Sequence, residues 1–248
     1  MGEPARDAAA GAAAPGRGLF VTGTDTGVGK TVLAGAIAAA LAGRGEAVTV
    51  LKPVITGLDT PPDPDWPPDH ELLARAAGCA PGAVIRLTFG PAVSPHLAAE
   101  LAGAPIDARA LVDSLQAATT TAGAARAVVE GVGGLLVPLG DGFDVRDLAV
   151  ALGLPLVIAA RPGLGTINHT LLTLAAARQA GLVVAAVVLT PWPERPSMVE
   201  RSNLATIERR GTVEVATLPP LPRAEPELLR RAGEQLPLDR WFATVSSP

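Results

Sequence analysis

Residues 18–31 read Gly-Leu-Phe-Val-Thr-Gly-Thr-Asp-Thr-Gly-Val-Gly-Lys-Thr, and an Ala-rich segment follows. An apolar strand, a glycine-bearing turn and a helix beginning at Gly-Lys-Thr form a combination with few folding solutions. Glycines let the backbone curl so that successive N–H groups converge on one anion. The helix start adds free donors and about half a positive charge. Lys30 can reach phosphate oxygens, and the Thr31 hydroxyl is placed for Mg²⁺. The loop therefore predicts a nucleoside triphosphate site formed by Gly27, Val28, Gly29, Lys30, Thr31 and Val32. It departs from the strict pattern at one position: Thr24 stands where a glycine is expected, and Gly23 comes one residue early.

Strand and helix signals alternate along the rest of the chain. Residues 18–22, 47–51, 127–130, 155–160, 182–189 and 213–217 are short, nearly continuous Val/Leu/Ala runs. Such runs suit parallel strands buried on both faces. Helical patterns lie at 70–77, from Asp107 to Thr121, at 145–152 behind Asp144 and Asp147, and at 198–210, where Ser197 and Glu200 have capping-box spacing. The expectation is a single α/β domain over 18–245, a doubly wound and mostly parallel sheet with helices on both faces. Residues 1–17 are expected to be a disordered tail. The stretch 59–69 carries five prolines and reads as a long surface loop.

Composition excludes several classes. Twenty Lys+Arg against 24 Asp+Glu leave a net charge of −4 without a basic block, which argues against nucleic acid. The longest apolar runs, 148–160 and 180–189, fall short of the ~18 residues of a membrane span. The single Cys79 permits no intrachain disulfide, suits a reducing cytoplasmic setting, and is expected to be a small buried hydrophobe. His70, His96 and His169 lack partners at zinc spacing.

Other candidates gather at the carboxyl ends of strands, where ligands bind in open α/β sheets. Lys52-Pro53 is expected just after the second strand, a second cation near the phosphate loop, with the Thr56 hydroxyl close by. Glu130 ends another strand and could complete a Mg²⁺ shell, as could Asp69, whose alternative role is an ordinary helix N-cap. Gly131, Val132 and Gly133 allow close backbone approach to a ligand. Residues 164–170 (Leu-Gly-Thr-Ile-Asn-His-Thr) make a second helix start open to an anion, or an ordinary turn with Thr166 as cap.

The order VTGTDTGVGKT (21–31), KPVITG (52–57), VSPH (93–96), VEGVGGLLVPL (129–139), LGTINHTLLTL (164–174) and LPPLP (218–222) resembles the dethiobiotin synthetase family. The resemblance implies ATP- and Mg²⁺-dependent ureido ring closure. In that reaction 7,8-diaminononanoate takes up CO₂ (from bicarbonate) as a carbamate, the γ-phosphoryl group activates the carbamate, and the second amine expels phosphate. It further implies Lys30, Lys52 and Thr26 as catalytic residues, and Thr56 and Gly133 beside the substrate. Thr31, Asp69 and Glu130 would be the metal ligands. Glu130, Gly131, Val132 and Gly133 would border the nucleotide, with Thr190, Pro191, Pro219, Pro220 and Leu221 around its base. Gly165, Thr166 and Asn168 would bind the substrate carboxylate across a homodimer. Three positions depart from the family pattern: Gly27 where some members carry Glu, Val132 where Ala is commoner, and Thr190 where some place an Asn that reads the base.

The alternative reading is a nucleotide-switched partitioning or scaffold ATPase. Those proteins place an extra lysine five residues before the loop lysine, and Asp25 fills that slot here. An amidating cobyrinate synthetase would need a further glutaminase domain with its own cysteine.

Overall fold

The computed structural model describes residues 18–61, 63, 66–120 and 126–244. In chain order the elements are β1 (Gly18–Gly23), α1 (Lys30–Gly43), β2 (Val48–Ile55), α2 (Asp69–Ala77), α3 (Pro81–Val84), β3 (Ile85–Thr88), α4 (Pro95–Leu101), α5 (Ala108–Thr120), β4 (Arg126–Glu130), β5 (Pro138–Gly140), β6 (Phe143–Asp144), α6 (Val145–Leu152), β7 (Leu156–Ala160), α7 (Thr166–Gln179), β8 (Val184–Leu189), α8 (Met198–Gly211), β9 (Val215–Thr217), α9 (Pro226–Gly233) and α10 (Leu238–Ala243). Seven strands form a parallel sheet in the order β3-β2-β4-β1-β7-β8-β9, and β5 and β6 pair as a separate antiparallel hairpin. This is the doubly wound α/β sheet that the alternating pattern predicts. The chain first winds outward on one side of β1 and later on the other, so the carboxyl end of β1 lies at the switch point.

Each face of the sheet carries its own apolar core. One is built from α1, α2, α9 and α10 and includes Leu33, Ile37, Leu72, Leu229, Trp241 and Phe242. The other involves α4–α8, with Leu111, Leu115, Leu148, Leu174 and Ile207. Helix α1 is buried from Leu33 to Leu41 on all sides, because the sheet covers one flank and α2 and α9 cover the others. Its alanines allow that double coverage. A side chain at Gly233 of α9 would meet the Ala36 carbonyl oxygen at 2.0 Å, so α9 lies directly on the α1 backbone.

The helix starts follow their local chemistry. Asp144 with Asp147, and Ser197 with Glu200, form reciprocal capping boxes, and Asp107 Oδ1 accepts from the Ala110 N–H at 2.9 Å. Three expectations are corrected. Strand β2 continues to Ile55, so Lys52 and Pro53 lie within it; β3, absent from the sequence reading, pairs with Lys52–Ile55 after pairing with β4 has stopped at Leu51. Cys79 is exposed, because it follows the left-handed Gly78 that ends α2 at the surface. Thr166 is not a cap: Gly165, at φ 88°, is the N-cap of α7 and Thr166 is its first residue. The tail expected at 1–17 lies outside the described residues.

Candidate active site

The phosphate loop joins β1 to α1 and is tied to the strands beside it. The Thr24 N–H donates to the Ala159 carbonyl at 3.0 Å, and the Gly131 N–H donates to the Val21 carbonyl at 2.9 Å. Gly27 and Gly29 take the left-handed φ values of 71° and 89° that the curl of the loop requires. Lys30 opens α1, and its ammonium folds back to donate to the Asp25 carbonyl at 2.9 Å.

A second group of charges closes the site. Lys52 Nζ lies 2.5 Å from Glu130 Oε1 and 2.8 Å from Asp69 Oδ2. The Thr31 hydroxyl donates to the same Glu130 Oε1 at 2.9 Å. Glu130 is fully buried at the end of β4, and its Oε2 has no hydrogen-bond partner. Asp69 does not cap α2. Pro68 is the N-cap, and the Asp69 carboxylate turns onto Lys52. Lys52 is also buried.

The protonation states follow from this packing. Burial opposes charge on Lys52, but Glu130 and Asp69 outweigh it and hold the ammonium above the ordinary lysine range. Burial dominates at Glu130 and raises its pKa against the pull of Lys52. At Asp69 the opposing effect of burial is overcome by Lys52, and the pKa is lowered. Lys30 has its pKa lowered, chiefly by burial.

These groups border a cavity of about 740 Å³. Among the predicted residues, Thr26, Gly27, Gly29, Lys30, Thr31, Val32, Lys52, Thr56, Asp69, Glu130, Val132 and Gly133 line it. Gly133 and Thr26 meet there, since a Cβ on Gly133 would stand 3.6 Å from the Thr26 hydroxyl. Two lysines beside carboxylates and a hydroxyl suit a ligand with several phosphate oxygens. Oxygen donors from Glu130, Asp69 and Thr31 also suit a hard divalent cation, and the unpartnered Oε2 of a buried carboxylate is the donor such an ion would use. Two carboxylates and one hydroxyl would leave the other positions around such a cation to the ligand or water.

Residues 17–227 match a family profile described as an AAA domain. The chain is 38% identical to an ATP-dependent dethiobiotin synthetase of Haloferax mediterranei, covering 91% of this chain and 94% of that protein. The enzyme of the same name from Anaeromyxobacter dehalogenans is 41% identical, with 87% and 94% covered, and that from Mycobacterium avium is 43% identical, with 81% and 86% covered. This chain belongs to the dethiobiotin synthetase family. Among solved structures it is similar in fold to the MinC:MinD cell division complex of Aquifex aeolicus, with 16% identity, a TM-score of 0.55, and 91% and 93% of the two chains covered.

The other positions that the dethiobiotin synthetase resemblance singles out lie outside this cavity. Gly165, Thr166 and Asn168 stand at the start of α7, where the Thr166 hydroxyl is 3.4 Å from that of Thr170. Thr190 is buried against the phosphate loop, so that a Cβ on Gly29 would approach its Cγ2 to 2.8 Å. Pro191 follows it through a cis peptide bond. The Trp192 N–H donates to the Leu218 carbonyl at 2.8 Å, which brings the 190–192 loop against the segment holding Pro219, Pro220 and Leu221. Val28 is buried within the loop, and Gly131 is buried against Phe20 and Val145.

Sequence reasoning missed several residues around the site. Trp66 and Asp63 of the Pro-rich loop line the cavity. Arg161, just after β7, donates to the Thr26 carbonyl at 3.1 Å across the side-chain-free face of Gly27. A lone Arg before a Pro-Gly turn carries no motif, so only the neighbouring strand ends connect it to the loop.

Proposed function

We propose that this chain converts 7,8-diaminononanoate and CO₂ to dethiobiotin at the expense of ATP, as its relatives are named for doing. The observation that carries this reading is the pair of buried lysines, Lys30 and Lys52, on one cavity with Thr31, Asp69 and Glu130. A protein that only bound nucleotide would need Lys30; a second buried ammonium suits a reaction that gathers a carbamate and a triphosphate together.

In this reading Lys30 and the N–H groups of Gly27, Gly29 and Thr31 hold the β- and γ-phosphates. Thr31, Asp69 and Glu130 would hold Mg²⁺, which when bound neutralises charge on the phosphate oxygens. Lys52 faces the carbamate oxygen and the phosphoryl group in transfer, while Thr26 and Thr56 hydrogen-bond the carbamate. Fixing these cations beforehand spares the reaction a reorganisation of charge. Phosphorylation turns an oxide into a phosphate leaving group, and the second amine then closes the ring within one molecule. No protein nucleophile takes part.

The further parts of the proposal are a homodimer, in which Gly165, Thr166 and Asn168 of a second copy bind the substrate carboxylate, a base pocket formed by the 190–192 and 218–221 segments, and action in the cytoplasm. The nucleotide-switched ATPase reading is not favoured. Asp25 fills its lysine position, and Trp241 and Phe242 are buried in the core and offer no membrane-binding face. Among the described residues no helix is long and apolar enough to cross a membrane. Incubation with diaminononanoate, bicarbonate, Mg²⁺ and each nucleoside triphosphate in turn tests the reading. Dethiobiotin detected by mass with at least one nucleotide supports it, and its absence with all of them overturns it.

A further inference from the structure

The same lysine that would serve the reacting oxygens is already engaged. Lys52 Nζ sits between Glu130 Oε1 and Asp69 Oδ2, the two carboxylates of the metal set. Glu130 is wholly enclosed, and its second oxygen is unpartnered. A buried carboxylate cannot remain charged without a nearby cation, and Lys52 supplies one here. A divalent ion on the free Glu130 Oε2 would draw on the same carboxylate charge that now holds the ammonium through Oε1. Two cations a few ångströms apart repel, and the carboxylate oxygens can each face only one of them fully.

We propose that Lys52 is an internal counter-ion that holds the metal site in the metal-free protein, and that metal binding displaces its ammonium from Glu130 and Asp69 toward the cavity. The inference rests on the metal assignment of the proposed function. Its consequence is order: the cation intended for the carbamate is withheld until metal and nucleotide have arrived. A carbamate entering early would meet a lysine already neutralised by two carboxylates. Metal and acceptor binding are thus coupled through one side chain, with no movement of the backbone required.

The test reads binding and spectroscopy rather than turnover, so its failure can be told apart from a failure to make dethiobiotin. Magnesium chloride is titrated calorimetrically into the nucleotide-free wild type, Lys52→Met and Lys52→Arg. Lys52→Met should bind Mg²⁺ at least about 10-fold more tightly than wild type, since the competing charge is gone, whereas Lys52→Arg should bind no more tightly than wild type. Without metal, Lys52→Met should melt about 10 °C lower than wild type, and Mg²⁺ should recover most of that loss. Equal Mg²⁺ affinity in wild type and Lys52→Met overturns the proposal. Should Lys52→Met fail to fold, the wild type decides: with ¹⁵N-labelled lysine, the Lys52 ammonium resonance should shift on adding Mg²⁺ with a non-hydrolysable ATP analogue. A resonance that stays in place at saturation overturns the proposal equally.

Discussion

Lys52 and Glu130 come from strands that are neighbours in the sheet but 78 positions apart in the chain, and their charged ends meet at 2.5 Å inside the protein. The contact is possible because β2 runs four residues beyond its last pairing with β4, at Leu51 opposite Val129. The next residues, Lys52 and Glu130, thus stand side by side at the same level of the sheet, Lys52 within β2 and Glu130 at the end of β4. Replacing Lys52 by Ala should lower turnover by about 10²-fold or more while nucleotide affinity stays within a few fold, the pattern of a charge needed in the transition state. Steady-state kinetics beside direct nucleotide titration check this. Full turnover would remove the second cation from the chemistry.

The metal assignment has its own test. Asp69→Asn and Glu130→Gln should each raise the Mg²⁺ concentration for half-maximal activity by about 10-fold or more. Superimposable metal titrations for wild type and both variants would show that these carboxylates serve only the lysine.

The charge state of Lys52 also makes a prediction for stability. Its pKa in the folded protein lies above the unfolded value of about 10.4. A base whose pKa rises on folding stabilises fully below the unfolded value, and that contribution is lost as pH climbs through the folded one. The urea midpoint of the wild type should therefore fall toward that of Lys52→Met as pH is raised above about 10.4, with the gap constant between pH 7 and 9. A gap that widens with alkalinity would contradict the ion-pair account.

Gly29 meets two constraints at once. Its φ of 89° is left-handed, and a Cβ would come within 2.8 Å of Thr190 Cγ2. Gly29→Ala should weaken nucleotide binding by about 10-fold or more with the far-UV circular dichroism unchanged, because the damage is confined to the loop. Unaltered binding would mean that the loop tolerates another path.

Much of this site was legible because its parts are local. The curl of 23–31, the helix that follows and the end of β4 at Glu130 depend on neighbours within a few positions. What was misjudged depended on contacts between distant segments. Lys52 could be placed after its strand only while β3 went unseen, for Ile85–Thr88 is four residues long and half exposed, with little apolar signal. The Asp69 carboxylate could be a helix cap until the fold brought Lys52 within 2.8 Å. Arg161 had no signature at all, and Cys79 went to the surface because it follows the left-handed glycine that ends α2.

The chain's own order of residues determined the architecture and the phosphate loop, since hydrophobic period, glycine placement and helix caps act over short range. Only the tertiary structure decided which charges neutralise which. A lysine, two carboxylates and a threonine from four separate elements meet where strand ends converge, and the energy of a buried ion depends on the distance and dielectric around it, neither of which is written in linear sequence.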